Sequence, residues 1–387
     1  MRLLWVVPRF GSATVGGAER LVRALAGRAL PDGWSSEVAT TCALDHETWE
    51  NVLEPGDFVE DGLVVRRFLV GPRDNTRFWE LHASISSGQA SYAEELEWLA
   101  NSVWSLDLQR FIEDEGNAFD LILFSPYLFG TTIWGSQPWP ERTALIPCLH
   151  DEPYAYLATV RRMFETVRGC LFNSEGEARL ARRLQKVAFG EIVGMGFDAP
   201  TDEPPVRFAE PHGLDSYVLY AGRIEEGKRV DVAVEYAVRY AAERQNAPQL
   251  VLIGQGSYRP PRSAEGAVVH VGFVGEDERR AAYSEALAVV NPSQLESLSL
   301  VLMEAWLEAT PCLAAAGSEV MREHCERSGG GFTFDSYETF RHSLDRLRED
   351  DDLRTRMGTA GQAYVLDTYS WPHVRKRFQR AVESMVL

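Results

Sequence analysis

Short, almost wholly apolar runs recur along the chain, each closed by a glycine, proline or polar break and followed by a stretch of helical period. In the N-terminal half they fall at residues 3–7, 119–124, 143–148 and 170–172, with more mixed strand-like runs at 36–40 and 63–68. In the C-terminal half they fall at 217–222, 249–256, 268–274, 287–290 and 311–317. Runs of four to eight residues that are apolar at nearly every position fit strands buried on both faces, as in parallel sheets. Their alternation with helical stretches predicts an α/β fold.

The helical stretches differ in character. Residues 18–26 are amphipathic and follow Gly11, Gly16 and Gly17. Residues 75–115 are helical and rich in aromatics, with Phe78, Trp79, His82, Tyr92, Trp98 and Trp104. Aromatics can stack on sugar rings, but at helical spacing the core reading is preferred. Residues 177–186 follow a cap at Asn173 or Ser174 and carry Arg179, Arg182, Arg183 and Lys186. Residues 300–308 are strong helix formers.

At 387 residues the chain is long for one core. The breaker-rich stretch 199–214, with Pro200, Pro204, Pro205 and Pro211, reads as a linker between a first domain, 1–198, and a second, 215–370. The net charge of −18, with neither half basic, argues against nucleic acid as a partner. Five scattered cysteines without C-x-x-C spacing point to a reducing, cytoplasmic compartment. No run reaches the length of a membrane span, no signal peptide is expected, and no metal-ligand cluster is visible.

Chemistry concentrates after the run 287–290. Asn291-Pro292 breaks the strand, a polar loop follows, and the helix 300–308 begins. A strand, a loop and a helix N-terminus form the ligand-binding edge of an open α/β sheet, and the free N–H groups near Ser297 to Leu300 suit a phosphate or sugar hydroxyl. Glu296 and Glu304 bracket this segment with seven residues between them. The pattern resembles the E-x7-E signature of retaining glycosyltransferases of family 4, which have the GT-B fold of two Rossmann-like domains facing across a cleft. Family members usually read Glu-Gly-Phe-Gly there; this chain has Ser297-Leu298-Ser299 after Glu296. Read without the resemblance, the two glutamates are ordinary helix-surface residues.

The resemblance extends to other segments and implies roles for them. Gly16-Gly17-Ala18-Glu19 is similar to the family's first glycine loop, facing donor phosphate and acceptor; a Gly-Gly pair also suits any tight strand-to-helix turn. His150, in Leu149-His150-Asp151-Glu152, matches a histidine that touches the donor sugar; the plain alternative is a helix-capping Asp151 with an incidental histidine. Gly222, Arg223 and Lys228 match G-R-x-x-x-x-K, which makes the two cations ligands of the donor diphosphate. The backbone at Phe273 and Val274 takes the place that receives the nucleotide base. Glu296 would hold donor hydroxyls and Glu304 the ribose, with Ser297, Leu298, Ser299 and Leu300 at the helix mouth. The family's last helix crosses back, so residues 371–387 are expected to pack on the first domain. Some members act on membrane lipids through basic faces, so the arginine-rich helix leaves peripheral membrane contact open beside a plain solvated face.

The implied reaction moves a sugar, with retention, from a UDP-, GDP- or ADP-type nucleotide sugar to an acceptor hydroxyl, in polysaccharide or glycoconjugate synthesis. No metal or other cofactor is expected, because Arg223, Lys228 and helix N-termini can carry the leaving charge. Two rivals stand beside it: a GT-B phosphorylase or nucleotide-sugar epimerase, and a catalytically silent scaffold subunit.

Overall fold

Each apolar run contributes a strand, buried at nearly every position in most of them but only half-buried at 268–272, and helices return the chain between them. The computed structural model describes residues 1–11, 14, 16–201 and 206–386. The chain divides into two units, Met1–Gly196 with Trp371–Leu387, and Phe197–Ser370.

The first unit holds an eight-stranded sheet of β1 (Arg2–Val6), β2 (Ser35–Thr41), β3 (Gly56–Glu60), β4 (Leu63–Phe68), β5 (Leu121–Phe124), β6 (Thr143–Leu145), β7 (Gly169–Phe172) and β8 (Gly190–Ile192). Its order is β3-β4-β2-β1-β5-β6-β7-β8. All neighbours are parallel except β3 and β4. That hairpin was not anticipated, because β3 is largely exposed and lacks an apolar run. A signal for it exists in Asp61-Gly62, whose φ values of 51° and 80° make the mirror-image turn that suits a two-residue hairpin. Strand β6 stops at Leu145, short of the expected Cys148: Pro147 removes a ladder donor and Cys148 sits at φ 51°.

Of the aromatic stretch, Trp98 is buried, stacking on Phe78 at 5.3 Å and on Tyr154 at 5.5 Å. The core expectation does not hold for Trp79 and Tyr92, which are 61% and 47% exposed. The helix Trp371–Val386 packs on this unit. Its Phe378 stacks on Trp5 at 5.7 Å, Arg377 Nη2 donates to the Val193 carbonyl at 2.8 Å, and its Met385 carbonyl accepts from Arg168 Nε at 2.8 Å. On the arginine-rich helix Glu175–Leu184, Ser174 is the cap, accepting from Glu177 N at 3.2 Å.

The second unit holds a fully parallel sheet of β9 (Tyr217–Ala221), β10 (Gln249–Ile253), β11 (Val268–Gly272), β12 (Ala288–Asn291), β13 (Cys312–Ala315) and β14 (Gly331–Phe334), ordered β11-β10-β9-β12-β13-β14. Part of the stretch read as a linker packs here. Phe208 is fully buried, and Glu285 accepts from the N–H groups of Phe208 and Ala209 at 3.1 and 2.8 Å. Pro204 and Pro205 lie outside the described residues. Trp306 is fully buried and donates its indole N–H to the Gly330 carbonyl at 2.8 Å.

In each unit the strand order reverses beside the first strand. Strand β1 lies between β2 and β5, and β9 lies between β10 and β12. The C-terminal ends of the strands flanking such a switch diverge, and the crevice between their loops is where open α/β sheets take ligands.

Candidate functional site

In the second unit the switch lies between β9 and β12, and the loops that leave these two strands carry Arg223, Lys228 and Glu296. Lys228 and Glu296 are 68 residues apart in sequence, yet Lys228 Nζ donates to Glu296 Oε1 at 3.0 Å and to the Leu295 carbonyl at 3.4 Å. Arg223 Nη1 stands 3.0 Å from Glu225 Oε1. The Arg223 carbonyl accepts from Tyr220 Oη at 2.5 Å, which holds the backbone of the loop, and burial pushes the Tyr220 phenol well up. Two cations therefore project from one loop, each balanced by a carboxylate.

The loops of β10 and β11 complete this edge. Gly222, at φ 137°, and Gly254, at φ 131°, adopt backbone that side chains rarely tolerate, and a Cβ on Gly254 would lie 1.9 Å from the Gly222 carbonyl oxygen. The glycines let the two loops touch, so Ile224 N donates to the Gln255 carbonyl at 2.8 Å and Gly254 N to the Gly272 carbonyl at 2.8 Å. Phe273, next in the chain, is 67% exposed, while Val274 is buried.

Across the switch, Ser299 at φ 64° begins the helix Leu300–Leu307. This is the left-handed conformation that favours glycine. In this chain Asn291 Nδ2 donates to Ser299 Oγ at 3.0 Å, a hydrogen bond that offsets part of the strain. Leu298 is buried, Ser297 half-buried, and Leu300 opens the helix. Glu304 lies on the next turn and is half-buried rather than a surface residue. Its Oε2 accepts from Tyr283 Oη at 2.9 Å, and its Oε1 stands 3.6 Å from Arg279 Nη2.

Gly16, Gly17 and His150 belong to the first unit. Gly16 has an extended backbone at φ 169°, and Gly17 is the first residue of the helix Gly17–Arg28, so neither needs glycine for its dihedrals. His150 follows β6, on a loop held at several points. Glu177, fully buried, accepts from Leu149 N at 2.7 Å through Oε1 and from Asn173 N at 2.5 Å through Oε2. Asp151 caps no helix; it accepts from Tyr156 Oη at 2.6 Å and Arg183 Nη2 at 2.7 Å, which draws one arginine of the basic helix into an ion pair.

Burial pushes the Glu177 carboxyl up from an ordinary 4.5 to about 8, against the two backbone N–H groups that favour its charged form. The native state then holds this proton more tightly than the unfolded chain. Its contribution to stability is full below about 4.5 and is lost as pH rises through about 8. Relative to Glu177→Gln, the wild type should lose unfolding free energy between pH 5 and 8.5, read from urea curves at both pH values. Parallel pH dependence in the two proteins would remove Glu177 as the cause.

Sequence reasoning passed over Glu177, Glu225, Tyr220, Arg279, Tyr283, Tyr127 and Glu152. Glu152, Glu225 and Tyr220 stood beside motifs, Tyr220 three residues before Arg223, and Glu177 is the third residue of the helix that Ser174 caps. Arg279, Tyr283 and Tyr127 reach their partners through strand and helix packing, which leaves no mark at short range. Among the described residues, no group of three His, Cys, Asp or Glu side chains is arranged to hold a metal ion. No described helix is long and apolar enough to cross a membrane.

Comparison with known proteins adds two findings. Residues 205–364 match the family described as glycosyl transferases group 1. The whole chain resembles solved structures: sucrose-phosphate synthase from Thermosynechococcus elongatus, at 16% identity and TM-score 0.73 over 100% of this chain and 99% of that one. Anabaena HepE in complex with UDP follows at 14% identity and TM-score 0.72, and HepE with UDP-glucose at 16% and 0.70, each over 99% of this chain and 100% of the other. No curated protein sequence matches. These likenesses establish the fold, GT-B with two Rossmann-like domains.

Proposed function

We propose, from the premise that this is a glycosyltransferase with a group 1 domain over residues 205–364, that it moves a sugar from a nucleoside-diphosphate sugar to an acceptor hydroxyl with retention and without a metal, as family 4 enzymes do. The observation that carries this reading is the meeting of Lys228 and Glu296 at the switch between β9 and β12, with Arg223 on the same loop. A diphosphate seated there would meet an arginine fork, a lysine point charge and the N-terminal end of the helix Leu300–Leu307. These groups stabilise the charge that builds on the leaving phosphate, the largest demand of the reaction.

The remaining roles follow. By the resemblance, Glu296 would hold donor hydroxyls, Glu304 the ribose and the backbone at Phe273 and Val274 the base, and His150 would be the histidine that touches the donor sugar. The acceptor attacks on the face the nucleotide leaves, and the departing phosphate takes its proton. Gly16 and Gly17 leave room for the acceptor. A UDP-sugar is the favoured donor, since HepE, with the same fold, holds UDP and UDP-glucose. The chain would act in glycan or glycoconjugate synthesis inside the cell.

Thermal-shift screening against UDP-, GDP- and ADP-sugars tests the donor class: a rise in the unfolding midpoint with one base is expected, and none with any would overturn the reading. Calorimetry with UDP should give the same affinity with and without EDTA. Binding that appears only with magnesium or manganese would show that the two cations do not suffice.

A further inference from the structure

His150 stands beside a carboxylate that sequence reasoning did not use. His150 Nδ1 lies 3.4 Å from Glu152 Oε1, and both side chains are largely shielded from solvent. The same Oε1 accepts from Tyr127 Oη at 2.9 Å, and Tyr127 is buried. Burial, then the Glu152 charge, hold the Tyr127 phenol well above its ordinary range, so it remains a donor to this oxygen. The turn is closed by Glu152 N donating to the His150 carbonyl at 3.0 Å. Its entry is fixed as well, since Leu149 N is bound by Glu177 and Cys148 is held at φ 51° with its sulfur 3.6 Å from Asn173 Nδ2. Glu152 thus has little freedom to leave the imidazole, and an ionised carboxylate can only accept.

We infer that Glu152, anchored by Tyr127, is a positioning residue that keeps the proton of neutral His150 on Nδ1 and presents Nε2 to the sugar as a hydrogen-bond acceptor. Neutral imidazole has one donor and one acceptor nitrogen, and the partner of one decides the role of the other. The group His150 meets must then be a donor, so the inference specifies a sugar carbon that carries a hydroxyl or an N–H at that point. Contact between His150 and the donor sugar rests on the function proposed above; the tautomer does not.

The test uses the full chain labelled with 15N-histidine, in which long-range nitrogen–proton spectra separate the two tautomers, and His150→Gln identifies the His150 signals among eight histidines. The expected result is a protonated Nδ1 and an unprotonated Nε2 in the wild type above the imidazole titration. Glu152→Gln, which keeps an acceptor oxygen, should retain that pattern, whereas Glu152→Ala should move most of the proton to Nε2. A wild-type His150 protonated on Nε2 overturns the inference, as does an unchanged pattern in Glu152→Ala. Should Glu152→Ala fail to fold, the wild-type spectrum and Tyr127→Phe still decide, the latter being expected to reduce the Nδ1-protonated fraction. With a donor in hand, Glu152→Ala should lower kcat/KM by roughly 10-fold or more, with no further loss when added to His150→Gln. An absence of any transfer activity would sink the proposed function and leave the tautomer result standing by itself.

Discussion

Replacing Arg223 or Lys228 by alanine should each lower kcat/KM roughly 30- to 900-fold, which corresponds to about 2–4 kcal/mol of transition-state stabilisation. The scale is that of removing one preorganised group aimed at developing charge. Lys228 carries an added consequence. Its ammonium neutralises Glu296 at 3.0 Å, so its removal leaves a half-buried carboxylate facing an incoming diphosphate. Lys228→Ala should therefore fall at the severe end of the range. Adding Glu296→Gln should restore part of nucleotide affinity even though it removes a donor-sugar ligand. Steady-state kinetics with calorimetry on the single and double variants measure the coupling. Wild-type turnover in both alanine variants would place the diphosphate elsewhere.

The second large effect concerns Glu304. Its carboxylate, which receives Tyr283 and lies near Arg279, is an acceptor of the kind that ribose hydroxyls need. Hydrogen bonds to a charged group are worth about 1.5–3 kcal/mol, so Glu304→Gln should weaken nucleotide binding roughly 10- to 100-fold. A deoxyribose analogue should bind weakly to the wild type, and the variant should discriminate less between ribose and deoxyribose. The two changes then couple in a cycle of protein and ligand, with circular dichroism showing an intact fold. If Glu304 serves only Tyr283 and Arg279, its replacement should lower stability and leave affinity unchanged, and the protein and ligand changes should add.

Much of the site was legible because its parts are local. The strand 287–290, the break at Asn291-Pro292 and the helix after Ser299 are written in consecutive residues, and hydrophobic period reports such elements well. The spacing of Glu296 and Glu304 is likewise a property of one segment. What period could not report was which carboxylates are shielded. Glu304 reads equally well as a surface residue, and only its packing against the helix Glu276–Ser284, which carries Arg279 and Tyr283, shows otherwise. Trp79 and Trp98 have the same chemistry and lie on neighbouring helices, yet one is exposed and the other buried. Tyr154, a residue of a distant turn, stacks on Trp98 and helps to cover it.

The sequence by itself determined the alternation of strand and helix, the strong tendency to form parallel sheets, and the glycines and charges at the ends of particular strands, because each depends on neighbours in the chain. Tertiary structure alone decided which of those ends meet. Strand β9 bonds to β12 across two intervening strands in sequence, and that choice brings Lys228 to Glu296. The same holds in the first unit, where Glu177 reaches Leu149 and Tyr127 reaches Glu152 from separate elements. Such pairings arise from the order in which crossovers lay strands into a sheet, a property of the whole domain that no local pattern encodes.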